Sequence, residues 1–246
     1  MDRRGLVSIS FRQENPETII KAAKAAGLSC VEWGSDVHAP WDDESCLQRI
    51  AELQREYGMS CCSYGTYFRL GITPLEELPG YIRAAKLLGT DTLRLWAGKQ
   101  SPWEFSQEDK EALFADSRAA AKLAEEAGVT LCLECHMKTY TETAESALEL
   151  LQEVDSPAFR MYWQPNQKRT VEENVANAQK LKSYVNHIHV FQWKGKARFP
   201  LEVGLEEWKT YLAQFAGDHH LLLEFMPGDT IAELPREAAA LRKIVE

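Results

Sequence analysis

Along this chain, short apolar runs with strand character alternate with stretches of helical period, and the alternation recurs eight times. The strand candidates are LVSISF (6–11), SCVEW (29–33), SCCSY (60–64), TLRLW (92–96), TLCLE (130–134), RMYWQ (160–164), HIHVF (187–191) and HLLLE (220–224). A helix candidate follows each, from PETIIKAAKAAG after the first to DTIAELPREAAALRKIV after the last. Five of the eight close on a glycine, the usual signal for a helix C-cap. Strand ends fall about 30 residues apart, the size of one βα repeat. Eight such repeats in 246 residues predict an α/β fold, a (β/α)8 TIM barrel forming a single domain over residues 1–246. The rival, an open doubly wound sheet, normally carries a glycine-rich turn after its first strand. FRQENPE stands there, without a glycine.

Side-chain parity favours the closed form. Leu131 and Leu133 oppose Thr130, Cys132 and Glu134; Met161 and Trp163 oppose Arg160, Tyr162 and Gln164. Ile188 and Val190 oppose His187 and His189, while Leu221 and Leu223 oppose His220, Leu222 and Glu224. One face is apolar, fit to pack under helices, and the other is mixed, as a barrel lumen opening onto a site would be. In barrels of this kind the C-terminal strand ends carry the chemistry. There the fifth to eighth strands present Glu134, Gln164, His189 and Glu224. Oxygen and nitrogen donors converging in a cleft suit a divalent cation such as Mn2+, Mg2+, Co2+ or Zn2+. Taken singly, each residue is explained by a salt bridge or a core hydrogen bond; four at matching positions on consecutive strands favour the metal.

Charge narrows the partners. A net charge of -9 opposes nucleic-acid and anionic-membrane binding, which rely on basic patches. No stretch of about 20 apolar residues occurs, and Met1-Asp2-Arg3-Arg4 leads directly into a strand; a cytoplasmic protein is expected. The six cysteines, Cys30, Cys46, Cys61, Cys62, Cys132 and Cys135, read as reduced core thiols. Cys132 and Cys135, three apart on a strand, face opposite ways.

VEW at Glu32, LCLECH at Glu134, YWQPN at Gln164, HIHVF at His189 and LLLEF at Glu224 resemble the xylose isomerase-like (β/α)8 barrel superfamily, over nearly the full chain. That superfamily includes sugar epimerases, hydroxypyruvate isomerase, inosose dehydratase and endonuclease IV. The resemblance implies that strands five to eight offer Glu, Asp, His and Glu to one divalent metal. It further implies that the two glutamates act as acid and base beside a carbonyl. By position Glu134 and Glu224 match those glutamates and His189 the histidine. Gln164 stands where aspartate is usual, and Gln167 where the family has a histidine. A neutral amide still ligates a hard cation, with weaker attraction, and leaves the ion a stronger Lewis acid.

The implied activity is a metal-dependent isomerase or epimerase acting on a small carbohydrate or related hydroxy-carbonyl compound. Loss of a β-hydroxyl, as in inosose dehydratase, is the alternative on the same scaffold. Gln164 keeps open a non-catalytic sugar- or polyol-binding relative, whereas six histidines and the acidic charge oppose an endonuclease IV-like nuclease. For substrate contact the candidates are His136, the aromatics Tyr64 and Trp96, and Lys194, Lys196 and Arg198 for an anionic group. His38 and Trp41 lie in a loop that could close as a lid. Glu32 pairs with Arg94 in preference to touching substrate. Barrels of this family often pair, so a homodimer is possible.

Overall fold

The computed structural model describes residues 3–246. Its eight parallel strands are β1 (Arg4–Val7), β2 (Cys30–Gly34), β3 (Ser60–Leu70), β4 (Thr92–Ala97), β5 (Thr130–Glu134), β6 (Phe159–Trp163), β7 (Val185–Val190) and β8 (His220–Leu223). They lie side by side in chain order and β8 closes onto β1, in register through Gly5↔Leu222. The fold is a TIM barrel. Eight helices surround it: α1 (Pro16–Ala25), α2 (Glu44–Tyr57), α3 (Leu78–Leu88), α4 (Gln107–Ala127), α5 (Ala144–Val154), α6 (Val171–Leu181), α7 (Leu205–Leu212) and α8 (Leu234–Val245). None of the described helices is long and apolar enough to cross a membrane.

Local chemistry sets the helix ends. Asp43, Ser106 and Thr170 each accept a hydrogen bond from a backbone N–H in the first turn of α2, α4 and α6, satisfying donors that have no partner within the helix. Gly58 and Gly128 stop α2 and α4 in the left-handed conformation, with φ of 59° and 66°, which a residue without Cβ adopts freely.

The alternation read from sequence separates two apolar regions. Leu131, Leu133, Met161, Trp163, Ile188, Val190, Leu221 and Leu223 face outward into the core beneath the helices. Val7, Cys30, Cys62, Cys132, Tyr162 and Leu222 fill the lumen. Cys135 packs against the outer core, opposite to Cys132, and all six cysteines are free thiols. Burial pushes Cys132 and Cys135 up to about 12, as expected for inert core thiols.

Two strands depart from the sequence reading. β1 ends at Val7, and Ser8–Phe11 turn into a short 3-10 helix in which the Ser8 hydroxyl accepts the Gly34 N–H at 3.0 Å. β3 runs on to Leu70 and carries a bulge: Val31 pairs with Cys61 but Glu32 with Ser63. The extra residue sends both Cys62 and Ser63 to the lumen and reverses the parity of the later strand residues. Tyr64 is therefore buried in the outer core, donating its hydroxyl to the Ala39 carbonyl at 2.6 Å.

Candidate active site

β2 and β4 bring Glu32 and Arg94 together in the lumen, both essentially without exposure. Arg94 Nε donates to Glu32 Oε1 at 2.7 Å, and Ser63 donates to Glu32 Oε2 at 2.7 Å. The same guanidinium reaches up the barrel: its Nη1 donates to Glu134 Oε2 at 2.5 Å, and the Trp96 indole N–H donates to that same oxygen at 2.6 Å. Burial opposes ionisation of these two carboxylates, but Arg94 and the neighbouring His189 overcome it and hold both well below the usual carboxylate range.

The other side of the cluster is looser. Gln164, one residue beyond β6, donates its amide N–H to the Cys135 carbonyl at 2.8 Å, which turns Oε1 toward His189. His189 Nδ1 donates to that oxygen at 2.9 Å and lies 3.4 Å from Glu224 Oε2 and 3.6 Å from Glu134 Oε1. Burial works against charge on His189, yet Glu224, Glu134 and Glu32 lift it to about 10. Glu224, just past β8, receives no side-chain donor as close as those on Glu134; burial holds it above the ordinary glutamate value, against the pull of His189.

These residues fit a divalent cation. Glu134, His189 and Glu224 offer ligand atoms that all lie within 4.8 Å of one another. Their closest separations, 3.4 and 3.6 Å, are near the roughly 3–3.5 Å between neighbouring donors around an ion with bonds of about 2.1 Å. Charge points the same way. With Glu224 as a carboxylate beside the ionised Glu32 and Glu134, Arg94 and a protonated His189 would leave one negative charge buried, whereas a dication that displaces the His189 proton brings the sum to zero.

Above the cluster a cavity of about 240 Å3 opens, lined by Arg94, Trp96, Glu134, His136, Gln164 and Glu224 among others. His189 sits beneath it, fully buried. The Trp96 ring borders the cavity, but the Arg69 guanidinium lies 4.2 Å from its centroid and Tyr67 meets it edge-on at 4.9 Å, so part of the expected stacking surface is taken. His136 is exposed at the mouth, its Nδ1 2.6 Å from the Met137 carbonyl.

The remaining candidates lie elsewhere. Besides Tyr64, His38 is a buried structural residue: its Nδ1 accepts from the Ser8 hydroxyl at 3.0 Å and its Nε2 donates to the Glu14 carbonyl at 3.2 Å. Trp41 stacks on Tyr81 at 5.2 Å, so this part of the loop after β2 is folded against the outer core. Glu32 lies below the cavity, engaged by Arg94 and Ser63. Lys194, Ala197 and Arg198 belong to a short hairpin (Trp193–Lys194 with Ala197–Arg198). Lys196 is exposed, Lys194 lines a second cavity that shares Arg169, Phe191 and Trp193 with the first, and Arg198 pairs with Asp229 while resting over the Trp193 and Phe225 rings. The wall includes Tyr67, Thr141, Arg169 and Trp193, which sequence reasoning passed over. Tyr67 could have been found only by placing the bulge and extending β3; Arg169 and Trp193 sit in loops with no periodic signal.

The xylose isomerase-like TIM barrel family matches residues 20–244. A 3-dehydroshikimate dehydratase of Bacillus anthracis is 23% identical over 199 residues, 75% of this chain and 69% of that protein. Among solved structures, the probable 3-DHS dehydratase AsbF of Bacillus anthracis superposes with a TM-score of 0.82 at 21% identity, covering 98% of this chain and 99% of that one. D-psicose 3-epimerase of Clostridium cellulolyticum H10 gives 0.75 at 16% identity, covering 99% of each. The chain belongs to the xylose isomerase-like TIM barrel family.

Proposed function

We propose that this xylose isomerase-like barrel is a lyase, which takes a proton from the carbon beside the carbonyl of a small hydroxy-carbonyl compound and then expels the neighbouring hydroxyl as water. The observation that carries this reading is the inequality of the two glutamates. Glu134 Oε2 accepts from both Arg94 and Trp96, so Glu134 is fixed as a carboxylate; Glu224 has no such clamp and its affinity for a proton is raised. A two-base epimerase needs two groups that both exchange protons with substrate, and here one of the pair is held ionised. A single base suffices for elimination.

In this reading Glu224 removes the C–H proton, the electron pair forms the new C=C bond, and the β-hydroxyl departs with the proton Glu224 has just taken. Atoms balance as loss of one water, and Glu224 returns to its starting state. Glu134, Gln164, His189 and Glu224 would hold a divalent ion, which supplies Lewis-acid polarisation of the substrate carbonyl when bound. Arg169 and His136 at the mouth suit an anionic group such as a carboxylate. Trp96, Phe191 and Trp193 give the cavity an apolar wall that limits water. The dehydratase relative supports a carboxylated cyclic hydroxy-ketone, with 3-dehydroshikimate as the first compound to test.

The experiment is NMR in D2O with 3-dehydroshikimate, ketoses, inososes and 3-keto-sugars, each supplied with Mn2+, Mg2+, Co2+ or Zn2+. Loss of water with a conjugated product is expected from one of them. Deuterium incorporation with inversion and no water loss would move the assignment to epimerisation. No exchange on any compound would leave a binding protein.

A further inference from the structure

At the opposite end of the barrel a second cluster has no part in this chemistry. Cys30 opens β2, Cys62 occupies the bulge of β3, and His220 opens β8. The two Sγ atoms and a ring nitrogen of His220 all lie within 4.8 Å of one another, and Cys30 Sγ is 3.4 Å from His220 Nδ1. We infer that these three side chains form a site for a soft divalent cation, with Zn2+ the best match.

Three features of the backbone build it. β1 separates β8 from β2, and its residue in register with both Cys30 and Leu222 is Gly5. A Cβ on Gly5 would fall 2.5 Å from Cys30 Sγ, so the missing side chain is what lets a thiol of β2 meet an imidazole of β8 across the intervening strand. Cys62, next to the outward-facing Cys61, turns its thiol into the lumen, and the bulge adds Ser63 on the same side. Finally, His187 places its ring 4.7 Å from the His220 ring, gives Nε2 to the Cys62 carbonyl at 3.1 Å, and leaves a buried Nδ1 without a partner. Its side chain is more than nine-tenths buried.

Chemistry chooses the ion. Two thiolates and an imidazole are the ligands of tetrahedral zinc sites, in which bonds of about 2.3 Å to sulfur and 2.0 Å to nitrogen put the S and N atoms roughly 3.5 Å apart. The observed 3.4 Å matches that edge. A cavity at this end, lined by Cys62, Asn186, His187, Asp218 and His220 among others, provides entry and room for a fourth ligand. The rim cluster, with carboxylates and an amide, is a hard site by comparison, so one chain would sort ions between its two mouths by softness. Such an ion would tie β2 and β3 to β8 at the seam where the barrel closes.

Cobalt reports sulfur ligation directly. The full-length protein, reduced and kept anaerobic, is titrated with CoCl2 and followed in the near ultraviolet, where a thiolate-to-cobalt charge-transfer band is expected; Zn2+ should bleach it. Carboxylate-bound cobalt at the rim gives no such band, so Glu224→Gln should leave it intact. Cys30→Ser and Cys62→Ser should abolish it, and His220→Ala, at a half-buried position, should weaken the cobalt affinity at least tenfold. Absence of the band in the wild-type protein at saturating cobalt would overturn the site. So would its survival in Cys30→Ser or an unchanged affinity in His220→Ala, and the wild-type and His220 results decide the matter even if a cysteine variant fails to fold.

Discussion

Replacing Arg94 by methionine keeps the length of the side chain and removes the cation shared by Glu32 and Glu134. All three groups are at most 3% exposed, so water cannot take over the role of the guanidinium. Removing one partner of a buried pair costs about 3–5 kcal/mol. An independent route gives a similar figure. A stranded glutamate escapes its penalty by binding a proton, and doing so at pH 7 costs about 1.4 kcal/mol for each unit above its ordinary value near 4.3, or about 4 kcal/mol per group. With two carboxylates affected, we expect a loss of about 5 kcal/mol or more, which for a domain of this size lowers Tm by roughly 10–20 °C. The pH dependence is the sharper signature. In the wild-type protein Glu32 and Glu134 titrate below their unfolded value, so their stabilisation is present above about pH 4.3 and is lost as pH falls through the folded value. In the variant the same groups should titrate above their unfolded value, so its deficit is largest at high pH and relaxes as they protonate. Thermal melts by circular dichroism in the presence of chelator, from about pH 8 to about pH 5, should show the two proteins converging as pH falls. A gap that stays constant across this range, or one below about 1 kcal/mol, would refute the claim that Arg94 neutralises both carboxylates. The double variant with Glu32→Gln should recover part of the loss.

The same geometry sets further outcomes. Glu224→Gln should slow loss of water from the substrate by about 10²–10⁴-fold, while Trp96→Phe, which deletes one donor to Glu134, should cost about tenfold or less by the same NMR assay. Gln164→Asp restores a third carboxylate to the donor set and should tighten Mn2+ binding at least about tenfold by calorimetry; weaker binding would remove Gln164 from the set. Metal binding should also release a proton near neutrality. His189, lifted to about 10, is charged in the metal-free protein; that charge stabilises the fold fully below about 6.5 and is lost as pH rises through about 10. An ion taking Nδ1 must displace this proton, so affinity should climb about tenfold per pH unit across that window, and a flat profile would exclude His189 as a ligand.

Much of the barrel was legible in the chain because a repeating βα unit leaves the same mark each time. Apolar parity at Leu131, Met161, Ile188 and Leu221 reports the outer core directly, and whatever opposes it must face the lumen. The substrate contact expected of Tyr64 is absent for a definite reason: the single residue inserted at the bulge is invisible to a period of two, yet it moves Tyr64 to the outer face. The pairing of Glu32 with Arg94 could be anticipated from their strand positions. That Arg94 also reaches Glu134 could not, since it depends on the stagger between β2, β4 and β5 and on the reach of a long side chain up the barrel axis. Arg198 illustrates the weakness of a loop charge as a signal. A cation near a site in sequence is free to turn to Asp229 or to solvent, and nothing in its neighbours records the choice.

The three-way link among Glu32, Arg94 and Glu134 also limits how a lineage carrying it can change. Replacing Arg94 strands two carboxylates in the interior, so drift through one-step variants meets a barrier at that residue, while the rim segments around Gln164, Arg169 and Trp193 are free of it. Innovation in a barrel of this build is thereby steered outward: the ionic trio stays put as inherited hardware, and new specificities arise by rewriting the mouth above it.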